Sequence, residues 1–389
     1  MRSAIILFFS LVISISDAAI PSDWIDIGVL GPSSPKVIQV IPEYGSYAVI
    51  ADGENKATLR PGERISLTIL NNRIEIAFST NRIGSYRDVR LMSLTEEGFF
   101  RLYVLKGKRE ERVYDDHLIV KPRKSNLLII NRVQLEKYVA GVVEAETGKE
   151  KTIEFYKVQA IISRTYALSN RRKHLAKGYN LSDQVDSQVY HGKCRWEPLI
   201  LDAVNQTQGE VLVDSEMRLI TAAFHSNSGG ETISSDVVWS GALPYLSPRL
   251  DGFSKSGDHY CWEITVATSD WLNYLKETFD LRVDNPAVKE YVTEFEQERR
   301  KIYLGDPSFD IPLTQVRKDR GLNSTFFSIH NQVDSVKFVG KGFGHGIGLS
   351  QEGAMRMSEL GFNSVDILHF YYNDIHLIDL RALEFFLEE

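Results

Sequence analysis

The segment QLEKYVAGVVEAE, residues 134–146, decides the fold because the chain changes there from a strand pattern to a helix pattern. Its apolar residues recur at i, i+4, i+7 and i+8, which places them on one face of a helix. They are Leu135, Val139, Val142 and Val143. The stripe predicts a helix packed on the core, followed by a region that mixes strands and helices.

The region before this helix is rich in short segments of β-branched and aromatic residues, which is typical of strands. These segments are Ile25–Leu30, Val37–Ile41, Tyr47–Ala51, Arg64–Leu70, Arg73–Phe78, Phe99–Val104 and Leu127–Ile130. Turn formers such as Asp52-Gly53 and Asn71-Asn72 separate them. We therefore predict an α+β fold, with a strand-rich N-terminal region over 19–120 and a mixed α/β domain over 121–382. A polar stretch predicts an exposed helical insertion at about 264–320.

The N-terminal residues 1–18 have the pattern of a secretory signal peptide. Arg2 precedes an apolar stretch, Ala4–Ile15, which ends in the small-x-Ala pattern Ser16-Asp17-Ala18. The stretch is too short to span a bilayer. We expect an exported protein in a periplasmic or other extracytoplasmic compartment, with membrane contact only through the uncleaved signal segment.

Composition and charge exclude one class of partner. The formal net charge is −7, and no basic stripe is concentrated anywhere, so nucleic-acid binding is not expected. The two cysteines, Cys194 and Cys261, would form one disulfide if they lie close together in an oxidising compartment. The sequence leaves both the paired and the free state open.

Glu146 continues the apolar stripe of the predicted helix. Because Thr147-Gly148 ends the helix, this carboxylate either escapes to water or lies in a pocket. In a pocket, desolvation raises the pKa of a carboxyl and keeps it protonated, as a general acid requires. Glu144 lies on the other side of the helix and is expected to be solvated.

The next predicted helix, from about Thr152 to Asn170, supplies cations. Lys157 and Arg164 are seven residues apart and share one face. They either extend their charges to solvent or point toward Glu146 and hold a polar ligand. Tyr166 lies on a different face and is either a ligand contact or part of the core.

A third cluster is AFHSNSGGETISSDVVWSGALPYL, residues 223–246. Its polar residues follow a predicted strand and precede Gly229-Gly230, which predicts a tight loop with exposed backbone donors. The candidate ligand contacts here are His225, Ser226, Ser228, Gly229, Gly230 and Tyr245. A plain turn with a hydrogen-bonded histidine is the alternative, and Tyr245 is then core.

The run GKGFGHGIGLSQEGA, residues 340–354, alternates glycine with other residues. A period of two is the strand period, so we predict an extended segment with all its glycines on one bare face. Either another backbone packs on that face or a flat sugar ring lies on it. The other face presents His345, and the following helix begins with Ser350 as its N-cap and Gln351 in its first turn.

These motifs together resemble a known family. LEKYVAGVVEAE, KVQAIISRTYAL, QVYHG, FHSNSGG with VVWSG and PYL, and GKGFGHGIGLSQEGAMRMSELGF with ILHFYY occur in this order. The same order is found in the SpoIID family, which contains stage II sporulation protein D and an amidase enhancer. The resemblance covers residues 120–375 of this chain.

The resemblance implies a lytic transglycosylase that cleaves peptidoglycan glycan strands, particularly strands stripped of stem peptides, into anhydro-muramyl products. It also implies a role in cell-wall remodelling during division or a sporulation-like process. Its single catalytic residue would be Glu146, which first acts as general acid and then, as carboxylate, deprotonates the muramyl C6 hydroxyl; Thr147-Gly148 stands in place of the usual Met-Pro. The backbone of Ser228–Gly230 and the side chains of His225, His345 and Gln351 would stabilise the transition-state charge.

The resemblance also bears on metals and partners. Some relatives bind zinc through cysteines and a histidine before QVY, whereas this chain has Ser182, Asp186 and Ser187 there. We therefore expect neither a metal nor a cofactor. The expected ligand is the glycan strand, and a cell-wall amidase is a candidate partner.

Two other functions stay open at this stage. A non-enzymatic peptidoglycan-binding protein that enhances an N-acetylmuramoyl-L-alanine amidase would use the same groove. A hydrolytic muramidase would need a second acid, such as Glu144 or Asp183.

Overall fold

The computed structural model describes residues 23–78, 81–239 and 241–382. The predicted signal peptide lies outside these residues. Strands dominate the first part of the chain and helices mix with strands in the second, so the predicted α+β class is confirmed. None of the helices in the described ranges is long and apolar enough to cross a membrane.

Twelve strands form the N-terminal part. They are β1 (Trp24–Val29), β2 (Val37–Tyr44), β3 (Tyr47–Ala51), β4 (Glu54–Leu59), β5 (Ile65–Leu70), β6 (Arg73–Phe78), β7 (Asn81–Tyr86), β8 (Val89–Ser93), β9 (Phe99–Lys106), β10 (Glu110–Asp115), β11 (His117–Arg123) and β12 (Asn126–Gln134). Each predicted strand segment overlaps one of them, although Leu30 and Arg64 lie one residue beyond β1 and β5.

Two of the predicted turns set hairpin register through their backbone conformation. Asp52 and Gly53 join β3 to β4 with φ of 48° and 87°, and Asn71 and Asn72 join β5 to β6 with φ of 49° and 56°. Two successive left-handed residues match the twist of the flanking strands, which is why Asn, Asp and Gly are favoured there.

The second part of the chain contains these elements: α1 (Leu135–Thr147), α2 (Ile153–Ser169), β13 (Leu181–Ser182), α3 (Pro198–Gln206), β14 (Glu210–Val213), β15 (Phe224–His225), α4 (Ser235–Val238), β16 (Cys261–Ala267), α5 (Thr268–Phe279), α6 (Pro286–Thr293), α7 (Leu313–Arg320), β17 (Phe327–Asn331), β18 (Ser335–Lys341), β19 (Leu349–Ser350), α8 (Gln351–Glu359), α9 (Ser364–Tyr371) and β20 (His376–Asp379). The predicted helices at 134–146 and 152–170 are α1 and α2. Thr152 caps α2 by accepting a hydrogen bond from the Phe155 N–H at 3.3 Å.

One hydrophobic core joins the two parts. A seven-stranded sheet in the order β13-β1-β12-β11-β8-β3-β4 and a six-stranded sheet in the order β10-β9-β2-β5-β6-β7 contribute apolar residues to it. The core continues through α1, α2 and α3 to α9. Residue 120 lies inside β11, so both sides of the predicted boundary contribute to this core.

The segment from β16 to β18 has a second hydrophobic core of its own. Its three-stranded sheet has the order β16-β18-β17, and α5, α6 and α7 add apolar side chains around the buried Trp271. Most of its charged residues are exposed, as the polar stretch predicted. The loop Ser256–His259, which leads into β16, lines the same cleft as the end of α1.

Candidate functional site

A cleft of about 380 Å³ opens at the C-terminal end of α1. Glu146 and Thr147 form one wall. Ser226, the loop Ser256–His259 and the face of α8 that starts with Gln351 form the rest. The structure thus brings together Glu146, Ser226 and Gln351, three of the candidates found in the sequence.

Glu146 is half-buried at the last turn of α1. Burial raises the pKa of its carboxyl because the charged form loses solvation, and the Val189 N–H partly offsets this by donating a hydrogen bond at 2.9 Å. That bond is the only one the carboxylate makes to the described residues. A carboxyl with one donor and a raised pKa favours its protonated form, which is the state of a general acid.

The end of α1 fixes the position of this carboxyl. The hydroxyl of Thr147 donates to the Val143 carbonyl at 2.7 Å, within the last helical turn. Gly148 then takes a positive φ of 68°, a conformation open to glycine and costly for most other residues. The chain turns away at this glycine, so Glu146 stays at the edge of the cleft.

The two other carboxylates considered for a second acid lie outside the cleft. The prediction that Glu144 is solvated is wrong: its carboxylate accepts the backbone N–H groups of Arg195 and Trp196, the latter at 2.6 Å. Asp183 is buried and accepts the Leu30 N–H at 2.9 Å. Both hold loops in place.

The Gly-Gly loop is less open than its sequence suggested. The N–H of Ser228 donates to Ser350 Oγ, that of Gly229 to Asn227 Oδ1, and that of Gly230 to Ser228 Oγ and Ser254 Oγ. The backbone donors expected to stabilise substrate charge are therefore used inside the protein, and that prediction is wrong. Ser226 is the residue of this loop that lines the cleft.

The alternating glycines do not form a strand beyond β18. Gly342, Gly344, Gly346 and Gly348 have φ of 80°, 117°, 83° and 68°, so the prediction of one extended segment with one bare face is wrong. A Cβ on Gly348 would lie 2.2 Å from the Ala223 carbonyl oxygen, and one on Gly344 would lie 2.7 Å from the Cβ of His225. The glycines permit the turns and let residues 223–229 pack closely against the segment. Of the two alternatives, backbone packing rather than a sugar ring therefore explains them.

His225 and His345 support this packing. Their ring centroids are 5.4 Å apart. His225 Nδ1 donates to the Ile347 carbonyl, and His345 Nδ1 accepts the Ile347 N–H, both at 3.0 Å. Burial lowers the pKa of His225 well below its usual value and that of His345 to about 4, so both rings are neutral. Neither ring lines the cleft.

Several other candidates have structural partners instead of access to the cleft. Arg164 is buried and forms two hydrogen bonds with the Glu136 carboxylate and one with the Glu210 carbonyl, so its assignment as a ligand contact is wrong. Lys157 pairs with Glu154 at 2.7 Å.

The aromatic candidates also lie elsewhere. Tyr166 accepts a hydrogen bond from Lys173, and the buried Tyr245 accepts the Thr221 N–H through its hydroxyl. Neither tyrosine lines the cleft. Tyr245 belongs to the hydrophobic core, which was the alternative to a ligand contact.

The start of α8 is as predicted. Ser350 is the N-cap and accepts the Gly353 N–H through its side chain at 3.3 Å. Gln351 lines the cleft, and its Nε2 has no hydrogen-bond partner among the described residues. A buried, unpartnered amide donor beside Glu146 is suited to a polar ligand atom.

Sequence reasoning missed two residues of the cleft, Glu352 and His259. Glu352 accepts hydrogen bonds from Asn227 Nδ2, from the His259 N–H and from His259 Nδ1, the last at 2.6 Å. No motif indicated this pair because the two residues are 93 positions apart.

Arg300 was also missed. It donates to the carbonyls of Ser228 at 2.7 Å and Glu231 at 2.6 Å, and Gly346 leaves room for its guanidinium. These bonds attach the β16–β18 unit to the Gly-Gly loop.

The remaining sequence questions concern cysteine and metal. Cys194 and Cys261 are both free, the first buried and the second exposed. Across residues 23–78, 81–239 and 241–382, no group of three or more His, Cys, Asp or Glu side chains is arranged to hold a metal ion.

Comparisons with known proteins agree with the resemblance found in the sequence. Residues 123–213, which contain α1 and Glu146, match the family described as Stage II sporulation protein. Stage II sporulation protein D of Bacillus subtilis is 27% identical over 268 residues, 65% of this chain and 77% of that protein. An uncharacterized protein of Brachyspira hyodysenteriae is 26% identical over 360 residues, 90% of this chain and 91% of that protein.

A third relative has a different printed name. The Amidase enhancer of Bacillus subtilis is 28% identical over 287 residues, which are 60% of this chain but 39% of that longer protein. The similarity therefore extends well beyond the matched family segment, and it includes one relative that is named for enhancing another enzyme.

Proposed function

We propose that this chain, which belongs to the SpoIID family, is a cell-wall protein that cleaves peptidoglycan glycan strands as a lytic transglycosylase. The observation that supports this most is Glu146, a desolvated carboxyl with one hydrogen bond at the edge of an open cleft. Such a group takes up a proton more readily than an ordinary glutamate and can give that proton to a glycosidic oxygen.

The reaction proceeds from that proton. Glu146 protonates the oxygen that links the muramyl residue to the next sugar, and the C1–O bond breaks. The muramyl C6 hydroxyl attacks C1 from within the same sugar, gives its proton to a base in the cleft and closes the anhydro ring. Because the nucleophile is part of the substrate, no water-activating carboxylate is required, in contrast to inverting hydrolysis.

The other residues of the cleft support binding of the strand. Ser226 and Gln351 offer a hydroxyl and an amide to sugar hydroxyl groups. The lining also contains Asp258, Glu352 and Glu359, and Arg356 pairs with Glu359 at 3.1 Å, so Lys151 is the cation that suits the lactyl carboxylates of a strand without stem peptides. We expect peptide-stripped strands to be the preferred substrate.

The cellular setting follows from the same proposal. A protein that acts on glycan strands must reach the wall, which agrees with the signal-peptide pattern of residues 1–18. Export to a periplasmic or other extracytoplasmic space is therefore part of the proposal. A cell-wall amidase, which would strip the strands, is the natural partner.

Mass spectrometry of products from peptide-free glycan strands tests the activity. Anhydro-muramyl ends are expected from the wild-type protein, and their loss is expected for Glu146→Gln. Reducing ends would instead show hydrolysis. No product, together with faster turnover by an added N-acetylmuramoyl-L-alanine amidase, would favour the enhancer role suggested by the name of the third relative.

A further inference from the structure

The cleft contains a second carboxylate whose surroundings differ from those of Glu146. Glu352, at the start of α8, accepts hydrogen bonds from three donors: Asn227 Nδ2, the His259 N–H and His259 Nδ1. Its side chain is 14% exposed. Three donors directed at one carboxylate fix its orientation.

The contact with His259 determines the state of the imidazole. A carboxylate accepts hydrogen bonds, so Nδ1 of His259 acts as the donor in the 2.6 Å contact. In the neutral ring, Nε2 is then the unprotonated nitrogen. Nε2 has no hydrogen-bond partner among the residues that the structure describes.

The position of His259 is set from two further sides. Its backbone N–H is bound to the same Glu352 carboxylate, so main chain and side chain are anchored together. The ring also packs at 5.3 Å from that of Phe343, which the glycine-rich segment carries. His259 lines the same cleft as Glu146, and its side chain is 55% exposed.

We propose that His259, oriented by Glu352, is the base that takes the proton from the attacking hydroxyl in this cleft. The inference rests on the proposed function and divides its chemistry between two groups. Glu146 supplies the acid, and His259 supplies the base that a lone Glu146 would otherwise have to become after giving up its proton. Glu352 is a positioning residue that acts through His259.

The step balances with these groups alone. The Glu146 proton goes to the glycosidic oxygen, which keeps the electron pair of the broken C1–O bond. The C6 oxygen forms a new bond to C1, and its proton passes to Nε2 of His259. The imidazolium then returns a proton to the Glu146 carboxylate through water, which restores both groups.

Chemical rescue tests the role of His259 on peptide-free glycan strands. His259→Ala is expected to lower kcat by about 10²-fold with little change in KM, as for loss of a general base. Added imidazole is expected to restore at least part of that loss, and the product is expected to keep its anhydro-muramyl end. An unchanged kcat, a change in KM alone, or no rescue in a folded variant would overturn the assignment.

Glu352→Gln tests the positioning role. The amide can still accept a bond from Nδ1 but lacks the charge that favours the oriented tautomer. We expect kcat to fall less than in His259→Ala, with KM kept and no gain from imidazole. A change in melting temperature with unchanged kcat would show a purely structural residue.

A matched control and the wild type separate this inference from the proposed function. His330 on β17 forms a similar contact with Glu296 at 3.5 Å, outside the cleft, so His330→Asn is expected to leave kcat unchanged. If wild type cleaves, Glu146→Gln does not, and His259→Ala is normal, the inference alone fails. If wild type makes no product, both fail.

Discussion

Two glutamates line one cleft in opposite settings. Glu146 receives one backbone donor, and burial raises its pKa. Glu352 receives two side-chain donors and one backbone donor. The same side-chain type is thus suited to give up a proton at one wall and to orient a neighbouring base at another, as environment decides the role of a carboxyl.

The largest effect is expected for Glu146→Gln. The amide keeps the size of the side chain but has no transferable proton, so cleavage should fall by roughly 10² or more. The rate of anhydro-muramyl product formation measures this.

Glu144→Gln is the control on the same helix. Its amide oxygen can still accept the Arg195 and Trp196 N–H groups. We expect nearly wild-type cleavage, with at most a small loss of melting temperature. A comparable loss of turnover at both positions would remove the distinction between the buried acid and a loop-holding carboxylate.

Gly348→Ala should weaken the wall that carries Glu352. The added Cβ would lie 2.2 Å from a backbone oxygen, where nothing flexible can yield, at a φ of 68°. Overpacking of this kind costs about 1–3 kcal/mol. Chemical denaturation measures the loss.

Gly361→Ala is the matched variant for this substitution. Gly361 also has a positive φ, 93°, but a Cβ there would meet nothing within 4 Å. It should lose only the roughly 1–2 kcal/mol of left-handed strain. Equal losses in the two variants would mean that close packing of the glycine segment is unimportant.

The stability of the protein should depend on pH through Glu146. Because burial raises the pKa of Glu146 above 4.5, the folded protein retains a proton there that the unfolded chain has lost. The stabilisation that this proton provides is fully present below the pKa of Glu146 in the unfolded chain. It is lost as pH rises through the raised pKa of the folded protein. Activity that needs the protonated acid should decline with pH over the same interval.

Thermal melts of Glu146→Gln test that sign. The variant does not ionise, so at neutral pH it should melt above the wild type, and the difference should vanish below pH 4.5. A lower melting temperature at neutral pH would show that the carboxylate is stabilised in the fold.

The smallest effect is expected at Lys157. Its pair with Glu154 is partly exposed, and such pairs contribute about 0–1 kcal/mol. Lys157→Ala should therefore keep turnover and nearly all stability, as measured by product formation and melting. A clear loss of substrate binding would show that Lys157 contacts the substrate, although it does not line the cleft.

Local periodicity was sufficient to predict much of this molecule. The stripe of α1 led to Glu146 because helix spacing places that residue on the face that packs inward. The strands and their Asp-Gly and Asn-Asn turns followed from the same kind of local rule. These features depend on neighbours only a few residues away.

The failures have a common cause in contacts between distant residues. Arg164 shares a helix face with Lys157, but only the fold shows that Glu136 neutralises it. The glycines alternate like a strand, although each one beyond Gly340 is required for a turn or a close approach. Glu352 and His259 are 93 positions apart in the sequence and meet only in the folded chain.

The free cysteines give the protein a built-in attachment point for a reporter dye. Cys194 is buried, its thiol contacts Glu144, and burial raises its pKa, so it should not react with maleimide at neutral pH. Cys261 is exposed and lies two residues after His259. A fluorophore placed there in the natural sequence would report, by its change in emission, when a glycan strand enters the neighbouring cleft.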